Sequence, residues 1–468
     1  MKIYLLNMPF YEQEYTEFSK KWQYIEDEYI GIGIVEAILK ENACQVTKNQ
    51  SKNISNMIDE VLSLNVDCVM ISAMQNSANK TYEFVQGLRA KGFSGIIFIG
   101  GWFAKLSWEE IFDNGWPVDY VCYVDAEGTL EAWLKNPNQE IEGIANPSNY
   151  LQLKKQKCPQ KKLDWENDYT FSVREPGRNT YSIESSRGCP HSSCTFCSLS
   201  KGNVQKMKWN GRAVEQIKGE ILHLYNEYHA THFSFSDDDM LGPIDGALGR
   251  AKELHDTFVS LPFKIKFSTS ISVRAATNGE ILDYLIDGGM QQLCVGFESA
   301  DEEQLKRYNK QQTIEDNFVA AEKIFEKRIK MVPGLITFDP YATVDTIKKN
   351  LSFLFDVLKH YDLGKLTKKL YVITGTPMVK MLKKDGLLSG NYLGYDYKFL
   401  HPETETLLRK FEKYTSMVQN VQRTANLKGM QYNSEIGERH VAVAKKILSE
   451  EPWEQFASER IKEMEKFI

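Results

Sequence analysis

The first part of the chain alternates short apolar runs with longer segments of helical spacing. Continuous apolar runs are typical of strands that are buried on both faces of a parallel sheet. The runs span residues 2–6, 66–72, 96–100 and 119–124, and the helical segments span residues 31–39 and 79–90. This alternation predicts an α/β, doubly wound Rossmann-like domain over residues 1–138.

A second alternation of strands and helices begins near residue 179 and continues to about residue 385. Six runs have strand character, at residues 180–185, 232–236, 264–272, 293–297, 330–337 and 370–374. Repeated strand and helix units predict a partial (β/α)6 barrel, open on one side, with its chemistry at the carboxyl ends of the strands. Residues 139–178, in which prolines interrupt polar stretches, predict a linker between the two domains.

The pattern changes again beyond residue 386. Residues 404–418 and 435–468 have helical character and are rich in Lys and Glu. We expect residues 386–468 to form a mainly helical region that caps the open side of the barrel and helps to form the substrate cavity.

Composition and charge limit the classes of partner. The 468 residues are 42% hydrophobic, which suits two or three domains with separate cores. The net charge of −6 supplies no large basic field, so no nucleic-acid partner is expected. The longest apolar runs, such as residues 95–101, are too short to cross a bilayer, and residues 1–6 lack a signal-peptide pattern. A cytoplasmic location without a membrane partner is therefore the expectation.

Three of the eight cysteines lie within nine residues, as Cys189, Cys194 and Cys197, while the others are scattered singly. Three clustered thiols without a fourth Cys or His at a finger-like distance favour an iron–sulfur cluster with one open iron over a closed tetrahedral zinc site. A structural zinc completed by His191 or a distant residue, and a redox-labile loop, remain as alternatives. Disulfides are disfavoured in a reducing cytosol.

Ligands of doubly wound sheets bind beyond the carboxyl ends of the strands. In the first domain these ends carry a glycine pair, Gly100-Gly101, which would let the backbone approach a large flat ligand closely. Ser72 and Gln75 follow the preceding strand and offer hydrogen-bonding groups to the edge of such a ligand.

These strand-end segments resemble the cobalamin-binding domain that precedes many radical S-adenosylmethionine (SAM) enzymes. Residues 125–128, Asp-Ala-Glu-Gly, are a degenerate copy of the family's Gly-Glu-Gly-Glu-like segment. The resemblance implies that Ser72, Gln75, Gly100 and Gly101 bind cobalamin. No Asp-x-His-x-x-Gly segment is present, so a histidine ligand to cobalt is not expected. The alternative is a domain that keeps the shape and has lost the ligand.

Residues 180–375 resemble the radical SAM superfamily through several motifs in the expected order. The cysteine loop follows the first strand, Ser236-Asp237-Asp238-Asp239 follows the second, and Gly296-Phe297-Glu298-Ser299 ends the fourth. By this resemblance, the three cysteines bind a 4Fe–4S cluster. The residues that would contact SAM are Phe196, Asp238, Ser270, Arg274 and Glu298. One departure is the loop spacing, because four residues instead of three separate Cys189 from Cys194.

The resemblance implies reductive cleavage of SAM to a 5′-deoxyadenosyl radical that abstracts hydrogen from a substrate carbon. Cobalamin-dependent C-methylation of a peptide or natural-product intermediate is the favoured reaction, with an electron donor such as flavodoxin or ferredoxin. Epimerisation, rearrangement or oxidation without cobalamin is the first alternative. Epimerisation needs a hydrogen donor, and Cys294 in its apolar run is expected to be a packing residue instead. An iron–sulfur redox or iron sensor is the non-enzyme alternative.

Overall fold

A computed structural model describes residues 1–9, 29–49, 51–156, 172–200, 208–427, 434–449 and 451–466. These residues form two separate parallel sheets, each covered by helices, and a third region at the C-terminal end. Cys158 and Pro159 of the predicted linker lie outside the described residues.

The first sheet has six strands in the order β2-β1-β3-β4-β5-β6. They are β1 (Lys2–Asn7), β2 (Gln45–Lys48), β3 (Cys68–Ser72), β4 (Ile96–Gly100), β5 (Tyr120–Cys122) and β6 (Ile144–Ala145). Neighbouring strands run parallel except β5 and β6, which are antiparallel. Strand β2 was not predicted, because its sequence Gln-Val-Thr-Lys lies at the sheet edge and has no buried apolar run.

Six helices cover both faces of this sheet. They are α1 (Ile30–Glu41), α2 (Ile54–Leu64), α3 (Ala78–Ala90), α4 (Gly101–Asp113), α5 (Thr129–Lys135) and α6 (Tyr150–Gln156). One apolar core joins α2, α3 and α4 to the sheet, and another joins α1 and α5 to its opposite face. The predicted doubly wound domain is confirmed.

The predicted linker contributes to the first domain. Strand β6 lies at residues 144–145 and extends the sheet past residue 138. Further along, the Val173 amide donates to the Gly33 carbonyl at 3.1 Å, and a Cβ on Gly33 would lie 2.4 Å from the Val173 oxygen. Residues 144–145 and Val173 therefore pack on the first domain, whereas Arg174 pairs with Glu220 of the second domain at 2.5 Å.

The second sheet has five parallel strands in the order β7-β10-β11-β12-β13. The strands of this region are β7 (Tyr181–Ile183), the short antiparallel pair β8 (Ser186–Arg187) and β9 (Asn210–Gly211), β10 (His232–Phe235), β11 (Lys266–Ile271), β12 (Met290–Glu298) and β13 (Lys330–Leu335). Its helices are α7 (Val214–Tyr228), α8 (Ile244–Val259), α9 (Val273–Ala276), α10 (Gly279–Asp287), α11 (Glu302–Arg307), α12 (Ile314–Glu326) and α13 (Val344–Ser352). Consecutive neighbours in chain order confirm the predicted partial barrel.

The sixth predicted strand, at residues 370–374, is not a strand. It meets the sheet region only through an isolated bridge between Phe338 and Lys369. Pairing stops there because Pro340 has no amide hydrogen and Asp339 Oδ1 accepts from the Tyr341 amide, which turns the chain away. The barrel therefore has five described strands, with the sixth segment lying beside them.

The C-terminal region is mainly helical, as predicted, but it also contains a hairpin. It comprises β14 (Leu388–Asn391), β15 (Gly394–Tyr397), α15 (Pro402–Leu427), α16 (Ser434–Leu448) and α17 (Glu454–Glu465), and it is preceded by α14 (Pro377–Lys384), which lies within the range predicted for the barrel. Tyr392 at the hairpin turn enters the core of the first domain, where its hydroxyl accepts from Trp116 Nε1 at 2.7 Å. The hairpin therefore ties the C-terminal region to the first domain. Among the described helices, none combines the length and apolarity that a membrane span requires.

A buried histidine in the C-terminal helices makes stability depend on pH. Tyr414 Oη lies 2.6 Å from His440 Nδ1, and burial lowers the pKa of His440 to about 4. The unfolded histidine binds a proton near pH 6.5, so the contribution of His440 to stability is complete above that pH. We expect about 3 kcal/mol to be lost as the pH falls from 6.5 towards 4.

The measurement is thermal unfolding between pH 4.5 and 7.5 for the native protein and for His440→Asn. The asparagine keeps a hydrogen-bond acceptor near the Tyr414 hydroxyl and cannot titrate. Its melting temperature should fall less steeply with acidification. Equal slopes for the two proteins would contradict the prediction.

Candidate functional site

One cavity of about 590 Å³ lies between the two sheets, at the carboxyl ends of their strands. Its size falls within the range of small-molecule and cofactor sites. Ser72, Gly100 and Gly101 line it from the first domain, and Asp238 and Ser270 line it from the barrel. Five residues predicted from the sequence on two separate domains are thus brought to one site.

The glycine pair shapes the wall on the first domain. Gly101 starts α4 with φ +84°, and a Cβ there would lie 2.7 Å from the Ala73 carbonyl oxygen. A Cβ on Gly100 would meet no atom within 4 Å, so this backbone borders open space. Gly31 at the start of α1 also lines the cavity and has no atom within 4 Å of its added Cβ. These glycines leave room for a ligand to lie against the backbone.

The barrel wall is hollow and polar. Ser234 pairs in register with Ser182 on one side and with Ser268 on the other, and all three line the cavity. Two residues closer to the carboxyl end of β11, Ser270 pairs in register with Cys294 of β12. Bulky branched side chains usually fill the interior of such barrels, and small ones here leave space for a ligand. Cys294 is half-buried and lines the cavity, so the expectation that it only packs is not met.

A carboxylate that follows strand β10 holds the backbone at the start of the cysteine loop. Asp237 accepts from the amides of Ser185 at 2.7 Å and Ser186 at 2.9 Å. Burial raises the pKa of Asp237 to about 7, although these hydrogen bonds lower it. Asp239 caps the following turn, where its Oδ1 accepts from the amides of Leu241 and Gly242 at 3.0 Å each. Of the three aspartates only Asp238 is exposed to the cavity.

The extra residue between Cys189 and Cys194 is accommodated by a left-handed turn. Ser192 has φ +36°. Two hydrogen bonds from Asn309 stabilise the turn. Its Nδ2 donates to the Ser193 carbonyl at 2.9 Å, and its backbone carbonyl accepts from His191 Nε2. His191 is therefore engaged with Asn309 in this structure.

The three thiols lie near one another. Burial raises the pKa of Cys194 to about 12 and of Cys197 to about 11, and Cys189 adds to the rise in both. Within the described ranges, no three or more His, Cys, Asp or Glu side chains are grouped to hold a single metal ion. Thiolates that bind separate irons of a cluster need not converge on one point.

Phe196 anchors the loop to the C-terminal region. Its ring packs against Tyr308 with centroids 5.0 Å apart, in an apolar cluster that includes Met378. The Thr195 carbonyl accepts from the Met378 amide at 2.9 Å. Phe196 does not line the cavity between the two domains.

Glu298 ends β12 with φ +62° and lies 3.3 Å from Lys310 Nζ through its Oε1. A Cβ on Gly296 would lie 2.5 Å from that same oxygen. The glycine of the Gly-x-Glu-Ser segment is therefore what lets the Glu298 side chain fold back over the strand. Like Phe196, Glu298 is not among the residues that line the interdomain cavity.

Two other predicted residues lie elsewhere. Gln75 is buried, and its Nε2 donates to the Tyr392 carbonyl of the hairpin at 2.7 Å. Arg274 is exposed on α9, the helix that follows β11. Neither residue lines the cavity in the described structure.

An ion-pair cluster lies between the domains that was not predicted from the sequence, and we call it the Arg187 cluster. Arg187, two residues before Cys189, lies 2.6 Å from Glu184 and 2.9 Å from Glu127. Asp125 lies 2.6 Å from Lys105, and the Lys105 and Arg187 charges lower the pKa of this carboxyl although its burial raises it. The altered Asp-Ala-Glu-Gly segment was the sequence feature that could have indicated this cluster, because its two carboxylates pair with Lys105 and Arg187.

Family models match both domains. A B12 binding domain model matches residues 28–134, and a Radical SAM superfamily model matches residues 183–354. The chain therefore contains a radical SAM domain preceded by a cobalamin-binding type of domain, as the sequence predicted.

Individual proteins are similar to parts of the chain. A 4'-phospho-dehydrooxetanocin synthase of Priestia megaterium is 24% identical over 59% of this chain and 41% of its own length. A cytidylyl-2-hydroxyethylphosphonate methyltransferase of Streptomyces wedmorensis is 30% identical over 28% of this chain and 23% of its own length. The chain thus spans less than half of either relative.

Solved structures share the fold. The cobalamin-dependent SAM radical enzyme OxsB, with aqua-cobalamin and SAM bound, superposes with a TM-score of 0.72 and 18% identity, over 100% of this chain and 75% of that one. The radical SAM methyltransferase TsrM of Kitasatospora setae gives 0.61 and 13% identity, over 83% and 78%. The predicted fold class is confirmed.

The cofactors implied by the two domains are a 4Fe–4S cluster, SAM and cobalamin, as predicted. The described residues fit them. Open space beside Gly31 and Gly100 forms a cradle for a large planar ligand, and three neighbouring thiols provide the donors that iron–sulfur clusters use.

The two adjacent glycines should respond differently to alanine. We expect Gly101→Ala to destabilise the first domain by about 1–3 kcal/mol, because its positive φ and the contact with Ala73 both penalise a Cβ. Gly100→Ala is the matched control and should leave the melting temperature nearly unchanged. Equal melting temperatures for the two variants would contradict this account of Gly101.

The Arg187 cluster should contribute to stability through its buried carboxylate. The Glu127 side chain is 5% exposed, so Arg187→Met would leave a buried charge without its cation. We expect a loss of roughly 3 kcal/mol, measured by denaturant unfolding of the cofactor-free protein. Adding Glu127→Gln should recover part of the loss. A double variant at least as unstable as the single one would argue against the pairing.

Proposed function

We propose that this protein is a cobalamin-dependent radical SAM methyltransferase that methylates a carbon atom of a peptide or natural-product intermediate. The observation that supports it best is that one cavity is lined by strand ends of both the cobalamin-type domain and the barrel. A methyl group carried on one side can reach a substrate activated on the other only if the two sites share one space.

When bound, the cluster and SAM supply a 5′-deoxyadenosyl radical, and cobalamin supplies a methyl carrier. The chain's own residues bind these groups, orient them and exclude water. Cys189, Cys194 and Cys197 hold the cluster. Ser192 and Asn309 fix the turn between the first two of these thiols.

We assign the contacts to SAM to the barrel side of the cavity. Asp238 and Ser270 face the cavity and suit the ammonium and hydroxyl groups of this cofactor. Glu298, held by Lys310, and Phe196, packed on Tyr308, stay contacts implied by the resemblance, because both lie outside the cavity lining. Arg274 stays a prediction from the resemblance, and its exposed position on α9 gives it no support.

Cobalamin lies, in this proposal, against Ser72, Gly100 and Gly101. Apolar side chains such as Ile30, Met70 and Trp102 line the same region and would cover a corrin face. Gln75 acts by fixing the hairpin through the Tyr392 carbonyl, so its role is to hold the wall of the site.

Cobalamin-independent epimerisation is the second candidate, and the position of Cys294 favours it. This half-buried thiol lines the cavity beside Ser270, where it could return hydrogen to a substrate radical. Solvent deuterium in a product of otherwise unchanged mass, lost in Cys294→Ala, would select this reaction over methylation.

The test is anaerobic reconstitution with iron, sulfide and cobalamin, followed by SAM and dithionite. We expect cluster and corrin absorption together with formation of 5′-deoxyadenosine. Cys194→Ala should reduce the cluster absorption and SAM cleavage to background, because one iron loses its thiolate. Cys44→Ala, a thiol on the first domain, is the matched control and should keep both signals.

Two outcomes would count against the proposal. Cleavage of SAM without any bound corrin would exclude cobalamin-dependent methylation and favour epimerisation with Cys294 as the hydrogen donor. An intact cluster without cleavage would favour an iron–sulfur sensor.

A further inference from the structure

We propose that the lysine-rich segment 363–398 is the docking surface for an acidic one-electron carrier protein. The inference rests on the proposed function, because reductive cleavage of SAM consumes one electron in each event. The donor loses that electron, and the carbon–sulfur bond of the sulfonium takes it up as it breaks. The electron must enter through the surface next to the cysteine loop.

Local charge sets this segment apart. Residues 363–398 carry seven lysines and two aspartates, a net charge of +5 in a chain whose total is −6. Both aspartates are engaged, since Asp396 pairs with Lys369 at 3.0 Å and Asp385 accepts from the Tyr341 hydroxyl at 2.8 Å. The segment is therefore a basic region on an acidic protein.

The basic segment is attached directly to the cysteine loop. Helix α14 starts at Pro377, and the Met378 amide donates to the carbonyl of Thr195, two residues before Cys197. Met378 and Leu382 bury the inner face of α14 in the apolar cluster that includes Phe196. At 1.5 Å of rise per residue, all of α14 lies within about 12 Å of this contact along the helix.

The outer face of α14 carries Lys380, Lys383 and Lys384. All three are exposed, and they have no carboxylate partner in the part of the chain that the structure describes. Exposed lysines spaced at i, i+3 and i+4 lie on one helix face. Such a face steers an acidic protein towards its target by long-range attraction, which salt weakens.

The other flank of the loop carries a smaller charge. Glu302 and Glu303 of α11 share one cation, Lys306, at 3.4 and 3.0 Å, which leaves one net negative charge there. The three exposed lysines of α14 are the larger charge beside the loop. This geometry favours an acidic carrier over a basic one.

The test compares electron donors in the reconstituted full chain. Lys380→Glu, Lys383→Glu and Lys384→Glu are combined, and cluster reduction and 5′-deoxyadenosine formation are measured with reduced flavodoxin, an acidic flavoprotein, and with excess dithionite. At low salt we expect about a tenfold slower flavodoxin reaction and an unchanged dithionite reaction. At 1 M salt, where the Debye length is about 3 Å, the difference should vanish.

Matched variants control for net charge and folding. Lys252→Glu, Lys264→Glu and Lys266→Glu change the same charge at exposed positions, two of them at the amino end of β11, opposite the cysteine loop. This protein should react with flavodoxin as the native protein does. Replacing the three α14 lysines by arginine should also preserve the flavodoxin rate.

Several results would overturn the docking surface. One is a flavodoxin rate in the α14 triple variant that equals the rate of the native protein. Another is a loss of the dithionite reaction as large as the loss of the flavodoxin reaction. A third is an equal loss of the flavodoxin rate when Lys252, Lys264 and Lys266 are replaced instead. Displacement of flavodoxin by a double-stranded oligonucleotide of comparable affinity would assign the face to nucleic acid instead. If native protein fails to cleave SAM with dithionite, the proposed function fails, while the rate of cluster reduction by flavodoxin still decides the docking surface.

Discussion

The contact between the cysteine loop and the first domain at Arg187 is the interaction on which the site depends. Its guanidinium lies between Glu127 of the first domain and Glu184 of the barrel, so one side chain joins the strand ends of both sheets. Each sheet alone would present an open edge of loops to water. Held face to face, they form one cavity that the strand ends of both sheets line.

The barrel side of this cavity differs from an ordinary barrel core. Serines occupy the inward positions of three neighbouring strands, which leaves polar space where branched side chains would otherwise pack. The stability of the domain therefore comes from the layer between the strands and their outer helices, where Phe233, Phe267 and Phe297 are buried. A hollow interior costs packing energy and provides room for a cofactor and a substrate.

Two contacts from the end of the chain position parts of the site. The hairpin of the C-terminal region enters the first domain at Tyr392, and α14, within the predicted barrel range, binds the cysteine loop at Thr195. Gln75 is hydrogen-bonded to the hairpin and Phe196 packs in the cluster of α14, so both lie away from the cavity. The region expected to cap the barrel therefore also reaches the first domain.

The two α/β domains, the cysteine loop and the strand ends around the cavity could be predicted from the sequence. Buried strands, glycine pairs and clustered thiols are local patterns, and local physics suffices to interpret them. The roles of the three aspartates could not be predicted, because Asp237 and Asp239 accept from backbone amides while Asp238 faces the cavity. The same holds for Cys294 at the cavity, for the end of the sheet at Pro340 and for the pairing of Arg187 with Glu127. These outcomes depend on distances between residues far apart in the chain, and no local pattern encodes such distances.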